Sequence, residues 1–452
     1  MSFRHSCHGA TSPQIAETAG MISLITMKRC AAAGVFLIGC VAVSSAAVGQ
    51  TSVAEGARKT LQQPGAPPQL TPPSGPFGIG RVGYDWIDAT RADRFSTKPK
   101  SPRELMVYLW YPTKHQNIMG AYLPGAQQMN AEPKTQRQMM DYFGASWPLI
   151  VSGTIFSHTA EGVPVAENPK RFPVIVFSHG RGSSGFTYSS LIEDLVSHGY
   201  VVAAIEHTES AMAVWFPDGR IVPFHEEAMG AGLSPEEGFQ RMAASIAAGI
   251  SEGAADVRFV VDHLTEMNSG AERQFPLAGR LDLNRLAAMG HSAGAEFAAR
   301  ACQLDPRFKA CVDLDGGMVP IMALPAFPDG ATMKQPLLFL EADHPESQMG
   351  GTHEQHQEYF KKKEEQLESC PPGSYDVILK SPGIAHPSFS DIPLLFAGKD
   401  GYPETRVVLH NLELIETFVR AFLDKNLKQE KAPLLDGDKV TFPEATLKRY
   451  GQ

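Results

Sequence analysis

Ser292 stands in Gly290-His291-Ser292-Ala293-Gly294. The short apolar run Leu286-Ala287-Ala288-Met289 leads into it, and the helical run Ala295–Leu304 follows. A serine between two glycines, with a strand before it and a helix after it, is the pattern of a nucleophile held on a sharp turn. Side chains at Gly290 or Gly294 would collide with the neighbouring strand and helix, and the turn itself is strained. Such a serine is exposed at the carboxyl edge of a sheet, above the N-terminus of its own helix. Its hydroxyl is a weak nucleophile at neutral pH and needs an adjacent base oriented by an acid. The chemistry is acyl transfer, and the chain must supply a histidine, a carboxylate and donors for a developing oxyanion.

After a nucleophile of this kind the acid and then the histidine follow in chain order. His386, in Ser381-Pro382-Gly383-Ile384-Ala385-His386-Pro387, lies on the loop after the last expected strand and is the expected base. His344, His353 and His356 precede that strand, and His410 lies on the closing helix. Asp313 and Asp315 end the strand after the elbow helix, and Asp343 ends the next one. The first of these strands stops at Gly316, so Asp315 sits at the carboxyl edge and Asp313 inside it; Asp315 is the expected acid. Two backbone N–H groups must face the oxyanion. One is that of Ala293. The other belongs at or near Arg181, where Gly180 and Gly182 let the backbone approach a substrate.

The elements that must hold these residues alternate between strand and helix. Pro173–Phe177 is a continuous apolar run, the mark of a central parallel strand. A helix over Tyr188–Ser197, closed by His198-Gly199, and a strand over Tyr200–Glu206 follow. Ala255–Leu264 reads as a helix; Ala310–Asp315, Pro336–Glu341 and Tyr375–Lys380 read as strands, the last being the final one. Val407–Leu427 is an amphipathic closing helix with Leu409, Leu412, Ile415, Val419 and Phe422 on one stripe. Val82–Asp88 and Glu104–Tyr111 make an antiparallel start. Residues 114–170 and 211–250 are insertions; the first is too long for a simple loop and is expected to carry helices that cover part of the site. The fold class is α/β: an α/β-hydrolase fold with a mainly parallel central sheet flanked by helices, over residues 81–430. Ile392-Pro393-Leu394-Leu395-Phe396 is either an apolar lip that meets lipid or, as its composition favours, buried core.

The net charge of -9 disfavours nucleic acid as a partner. A 43% hydrophobic and 20% charged composition over 452 residues is that of a soluble globular protein. Residues 1–49 read as a signal-peptide region: Met27-Lys28-Arg29, an apolar core over Ala31–Val43, and a cleavage site at Ala47-Val48-Gly49. Export to the periplasm or beyond is the expectation, with a lipoprotein anchored through Cys40 as the alternative. Residues 50–80 are a Pro/Gly-rich linker and residues 431–452 a tail. Cys302, Cys311 and Cys370 allow at most one disulfide, in any of three pairings, or three thiols. No metal or organic cofactor is implied.

His179-Gly180-Arg181-Gly182, the run from Leu195 to His207, Trp110-Tyr111-Pro112-Thr113, the elbow, Asp305-Pro306-Arg307-Phe308 and the loop carrying His386 together resemble the platelet-activating factor acetylhydrolase family of the plasma, lipoprotein-associated type. Bacterial relatives of that family are often labelled dienelactone-hydrolase-like. The resemblance implies that Ser292, Asp315 and His386 are the catalytic residues, and that the substrate is a small or lipid ester with a short acyl chain. Arg181 departs from the family's apolar residue at that place, and its side chain would favour acidic or phosphorylated substrates. The expected protein is a secreted serine ester hydrolase. Another ester, a thioester, a peptide or a polyester would use the same residues. A non-catalytic binding protein on the same fold is the alternative of a different class.

Overall fold

The computed structural model describes residues 67–451, except 95–100, 117, 209, 226–234, 271–274, 317–331, 346–352 and 438–441. The leader, with its Cys40 alternative, and the first part of the linker lie outside these residues. Among the described residues no helix is long and apolar enough to cross a membrane.

The first strands are β1 (Gly78–Ala92), β2 (Pro102–Thr113), β3 (Gly120–Ala121), β4 (Phe156–Ser157) and β5 (Thr159–Glu161). The centre of the chain gives β6 (Phe172–Ser178), β7 (Val201–Glu206), β8 (Ala213–Trp215), β9 (Ile221–Pro223) and β10 (Leu281–His291). After the elbow come β11 (Phe308–Leu314), β12 (Leu337–Ala342), β13 (Ser374–Leu379) and β14 (Ala445–Tyr450). Ten of them form one sheet in the order β14-β13-β12-β11-β10-β6-β7-β2-β1-β5. From β13 to β7 every neighbour pair is parallel. β2 and β1 extend it antiparallel, as expected.

Period-two alternation divides each strand's side chains between two cores. Ile175, Phe177, Ala287, Met289 and Val312 face one way, against the helices Ser189–Ser197 and Thr405–Leu423. Val174, Val176, Leu286, Ala288 and Cys311 face the other, against Pro235–Asn268 and Ala293–Leu304. With both faces covered, all seven residues of β6 are buried, which is why its sequence is a continuous apolar run.

The first insertion carries helices Ala126–Ala131, Pro133–Phe143 and Trp147–Val151. It leans on the loops after β6 and β7: Tyr142 Oη lies 3.1 Å from Ser183 Oγ, and Gln138 donates to the Met212 carbonyl at 2.6 Å. Leu394 and Leu395 are buried, so that apolar run is core and not a lip.

Several expectations change. The helix expected over Ala255–Leu264 runs from Pro235 to Asn268, so the end of the second insertion is its first turns. β13 is not the last strand: the expected tail supplies β14, antiparallel on β13, which covers an otherwise open edge. The linker is packed from Leu70 onward, where Ser74 donates to Asp194 at 2.6 Å. Cys302 and Cys311 form a disulfide with Cα atoms 6.6 Å apart, and Cys370 is a buried free thiol. His356, one of the candidate histidines, is buried on the helix His353–Glu368.

Candidate active site

β10 lies mid-sheet between β6 and β11 and ends at His291. Ser292 follows with φ 56 and ψ -126, and the helix begins at Ala293. A side chain there is strained, because its Cβ crowds the backbone when φ is positive. The flanking glycines are sterically required. A Cβ on Gly290 would lie 2.1 Å from the Gly294 carbonyl oxygen, and one on Gly294 would lie 2.2 Å from that of Ser178. The Ser292 N–H donates to the Leu314 carbonyl at 3.0 Å, which ties the turn to β11. The serine is half-buried and open to a substrate.

β11 stops at Leu314, and Asp315 turns with φ 52, its N–H donating to the Leu340 carbonyl at 2.9 Å. Its carboxylate lies 2.6 Å from His386 Nδ1 through Oδ2, and Oδ1 accepts the Ala342 N–H at 2.9 Å. His344 Nε2 lies 2.9 and 3.0 Å from the two oxygens. Burial alone would raise the Asp315 carboxyl. Hydrogen bonds from His344 and His386, and their charges, outweigh it and hold the group well below the usual carboxylate range. Burial likewise pulls His344 down, but the bond and charge of Asp315, with Glu341 and Asp343 nearby, leave it raised.

The other candidate acids sit differently. Asp313 is buried, accepts the Gly316 N–H at 2.8 Å, and is pushed well above the ordinary range by burial and by Glu296. Asp343 is exposed. His410 is engaged with Glu444 at 2.6 Å.

The remaining parts converge on the serine. A Cβ on Gly180 would come 3.2 Å from Ser292 Cβ, so the loop after β6 passes directly beside the nucleophile. The His291 ring packs against that of His386, centroids 4.4 Å apart and planes tilted by 37°, and its Nε2 lies 3.1 Å from the His386 carbonyl. His386 is therefore held against the residue that adjoins Ser292. Arg181 is exposed, with its guanidinium 5.0 Å above the Phe224 ring. Asp315 and His386 thus meet, and the loop that carries Arg181 passes beside Ser292. The sequence assigns no role to His291 or Tyr188 and offers His344 only as a candidate base. Only the place of His344, two residues past a strand at the sheet's carboxyl edge, marked it in the sequence.

A strained serine between β10 and its helix, in a mainly parallel sheet with a histidine–aspartate pair at the carboxyl edge, defines an α/β-hydrolase fold. Comparison with known proteins narrows this. The sequence model of the family described as platelet-activating factor acetylhydrolase, isoform II, matches residues 68–231 and 240–403, and the chain belongs to that family. It is 27% identical over 222 residues to the platelet-activating factor acetylhydrolase of Canis lupus familiaris, covering 45% of this chain and 48% of the relative. With that of Gallus gallus it shares 27% over 197 residues, 38% of this chain and 44% of the relative. The chain thus spans about half the length of these curated relatives. A probable 1-alkyl-2-acetylglycerophosphocholine esterase of Arthroderma benhamiae is 24% identical over 405 residues, 83% of this chain and 92% of the relative. Among solved structures, a ferulic acid esterase from Streptomyces cinnamoneus matches with TM-score 0.62 and 26% identity, over 84% of this chain and 99% of that one.

Proposed function

We propose that the protein is an exported serine ester hydrolase that cleaves short acyl esters through an acyl-enzyme. The observation that carries this is the Asp315–His386 pair, 2.6 Å apart and packed against the residue next to a strained serine. His386 accepts the Ser292 proton as Ser292 Oγ attacks the ester carbonyl. Asp315, buried and ionised, holds the His386 ring through Nδ1 and stabilises it when it is charged. The N–H groups of Ala293 and Arg181 receive the oxyanion. His386 then protonates the leaving alcohol. Water, activated by the same histidine, attacks the acyl-serine and releases the acid.

Family membership favours an acetyl ester of a glycerophospholipid as the substrate. Exposed Arg181 at the mouth would face a phosphate-bearing substrate. An aromatic acid ester is a second reading, resting on the structural neighbour. The basic and apolar leader supports export.

The test is hydrolysis of acetyl through octanoyl p-nitrophenyl esters, a 2-acetyl glycerophospholipid and methyl ferulate by the purified protein, beside Ser292→Ala. Activity that favours short acyl chains and vanishes in the mutant is expected. Activity that survives Ser292→Ala would refute the serine mechanism. Arg181→Ala should lower the preference for anionic over neutral esters; an unchanged preference removes the role given to that charge.

A further inference from the structure

Gly180 has no side chain, yet both of its backbone polar groups are gripped by buried side chains. Its N–H donates to Tyr188 Oη at 3.1 Å. Its carbonyl lies 2.8 Å from His179 Nδ1. His179 Nε2 accepts the His207 N–H at 3.2 Å, so the His179 proton resides on Nδ1 and is donated to Gly180. The Gly180 carbonyl and the Arg181 N–H belong to one planar trans peptide. Fixing the carbonyl therefore aims the Arg181 N–H to the opposite side.

The other grip continues across the site. Tyr188 Oη already accepts from Gly180, so its proton is given to His291 Nδ1, 2.8 Å away. His291 then carries its own proton on Nε2 and donates it to the His386 carbonyl at 3.1 Å. Burial, and then the neighbouring His386, hold His291 well below the usual histidine range, so the ring stays neutral and can accept from Tyr188. Tyr188 and His291 are both buried, so water does not compete for these bonds.

The geometry points to Tyr188 and His291 as positioning residues. They form one relay, Gly180 N–H to Tyr188 to His291 to the His386 carbonyl, that sets the loop carrying the oxyanion donor in register with the loop carrying the base. This inference rests on the hydrolase reading of Ser292 and His386. The two loops follow β6 and β13, which β10, β11 and β12 separate in the sheet; farther along, the Asp391 N–H donates to the Thr187 carbonyl at 2.6 Å, and the relay adds a link beside the nucleophile itself. A relay of this kind acts on the transition state and not on substrate capture, since the donor and the base are both needed only once the carbonyl is attacked.

The experiment measures kcat and KM for p-nitrophenyl acetate with Tyr188→Phe, His291→Phe, His291→Gln and the double variant Tyr188→Phe/His291→Phe. Ser292→Ala is run alongside, with thermal unfolding of each. Tyr188→Phe and His291→Phe should each lower kcat about 10- to 100-fold with KM within about threefold, the range of a lost oxyanion contact and below. His291→Gln can accept from Tyr188 and donate to the His386 carbonyl, and should stay within about fivefold of wild type. The double variant should be no worse than the poorer single, because one broken link already opens the relay. A kcat for Tyr188→Phe within twofold of wild type, equal losses in His291→Gln and His291→Phe, or losses that multiply in the double variant would each overturn the relay. If Tyr188→Phe does not fold, the contrast between His291→Gln and His291→Phe decides alone. Failure of the hydrolase reading is separate: it shows as activity retained in Ser292→Ala.

Discussion

Removing His344 should shift the acid side of the activity profile upward. His344 and His386 both reach Asp315 Oδ2, at 3.0 and 2.6 Å, so their nitrogens are at most about 5.6 Å apart. His344 is raised above the ordinary histidine value once the bond and charge of Asp315 overcome burial, so it is charged on the acid side. Two unit charges at that separation repel by about 3 kcal/mol at an effective dielectric of ~20 and about 0.7 kcal/mol in water. The two side chains are 16% and 24% exposed, which places the pair toward the wet limit, at about 1 kcal/mol or roughly 0.7 pH units. Charged His344 repels a second positive charge on the neighbouring ring. Without it that opposition ends and Asp315 attracts the His386 proton undivided, so both effects have the same sign. The assay is kcat/KM for p-nitrophenyl acetate from pH 4 to 9, which reports ionisations of the free enzyme. In His344→Gln the acid midpoint should rise by about 0.7 units, with plateau activity nearly kept, since the amide still donates to Asp315. His344→Ala should show the same rise and a several-fold lower plateau. The shift should shrink in 0.5 M salt. A midpoint that stays in place, or falls, would refute the coupling.

Gly294→Ala should unfold the elbow, since its new methyl group would sit 2.2 Å from the Ser178 carbonyl oxygen; a loss of about 3 kcal/mol or more in urea denaturation is expected. Arg103→Met breaks a buried pair with Asp256, at 2.8 Å, and should cost about 3 kcal/mol in the same measurement. Burial would raise the Asp256 carboxyl, but the Arg103 charge and the His207 and Arg103 bonds hold it well below the usual range. Its stabilisation is therefore full above the ordinary aspartate value of about 4 and is lost as pH falls below it, so the wild-type urea midpoint should drop there more steeply than that of Arg103→Met. Truncation after residue 441 removes β14 and bares the edge of β13; a lower melting temperature and rising light scattering on heating should follow.

Local chemistry was legible in the sequence. The Gly290–Gly294 elbow, the apolar run of β6 and the stop of β11 just before Asp315 each obey rules that reach only a few residues along the chain. They were enough to select Ser292, Asp315 and His386 as candidates, of which Asp315 and His386 meet at 2.6 Å, and to predict a mainly parallel sheet. Element ends were less legible where packing decides them. The helix Pro235–Asn268 begins well before the run Ala255–Leu264 expected for it, and β14 is a strand because β13 offers it an edge, not because of its own pattern. His344, Tyr188 and His291 lie far from one another in sequence, and although His291 stands in the elbow motif, nothing in that motif fixes what its ring meets. A histidine is an ordinary surface residue until a second chain segment presents a carboxylate or a carbonyl to its ring. Those meetings are made by the crossing of β6, β10, β11 and β13 in one sheet, and the tertiary structure alone determined them.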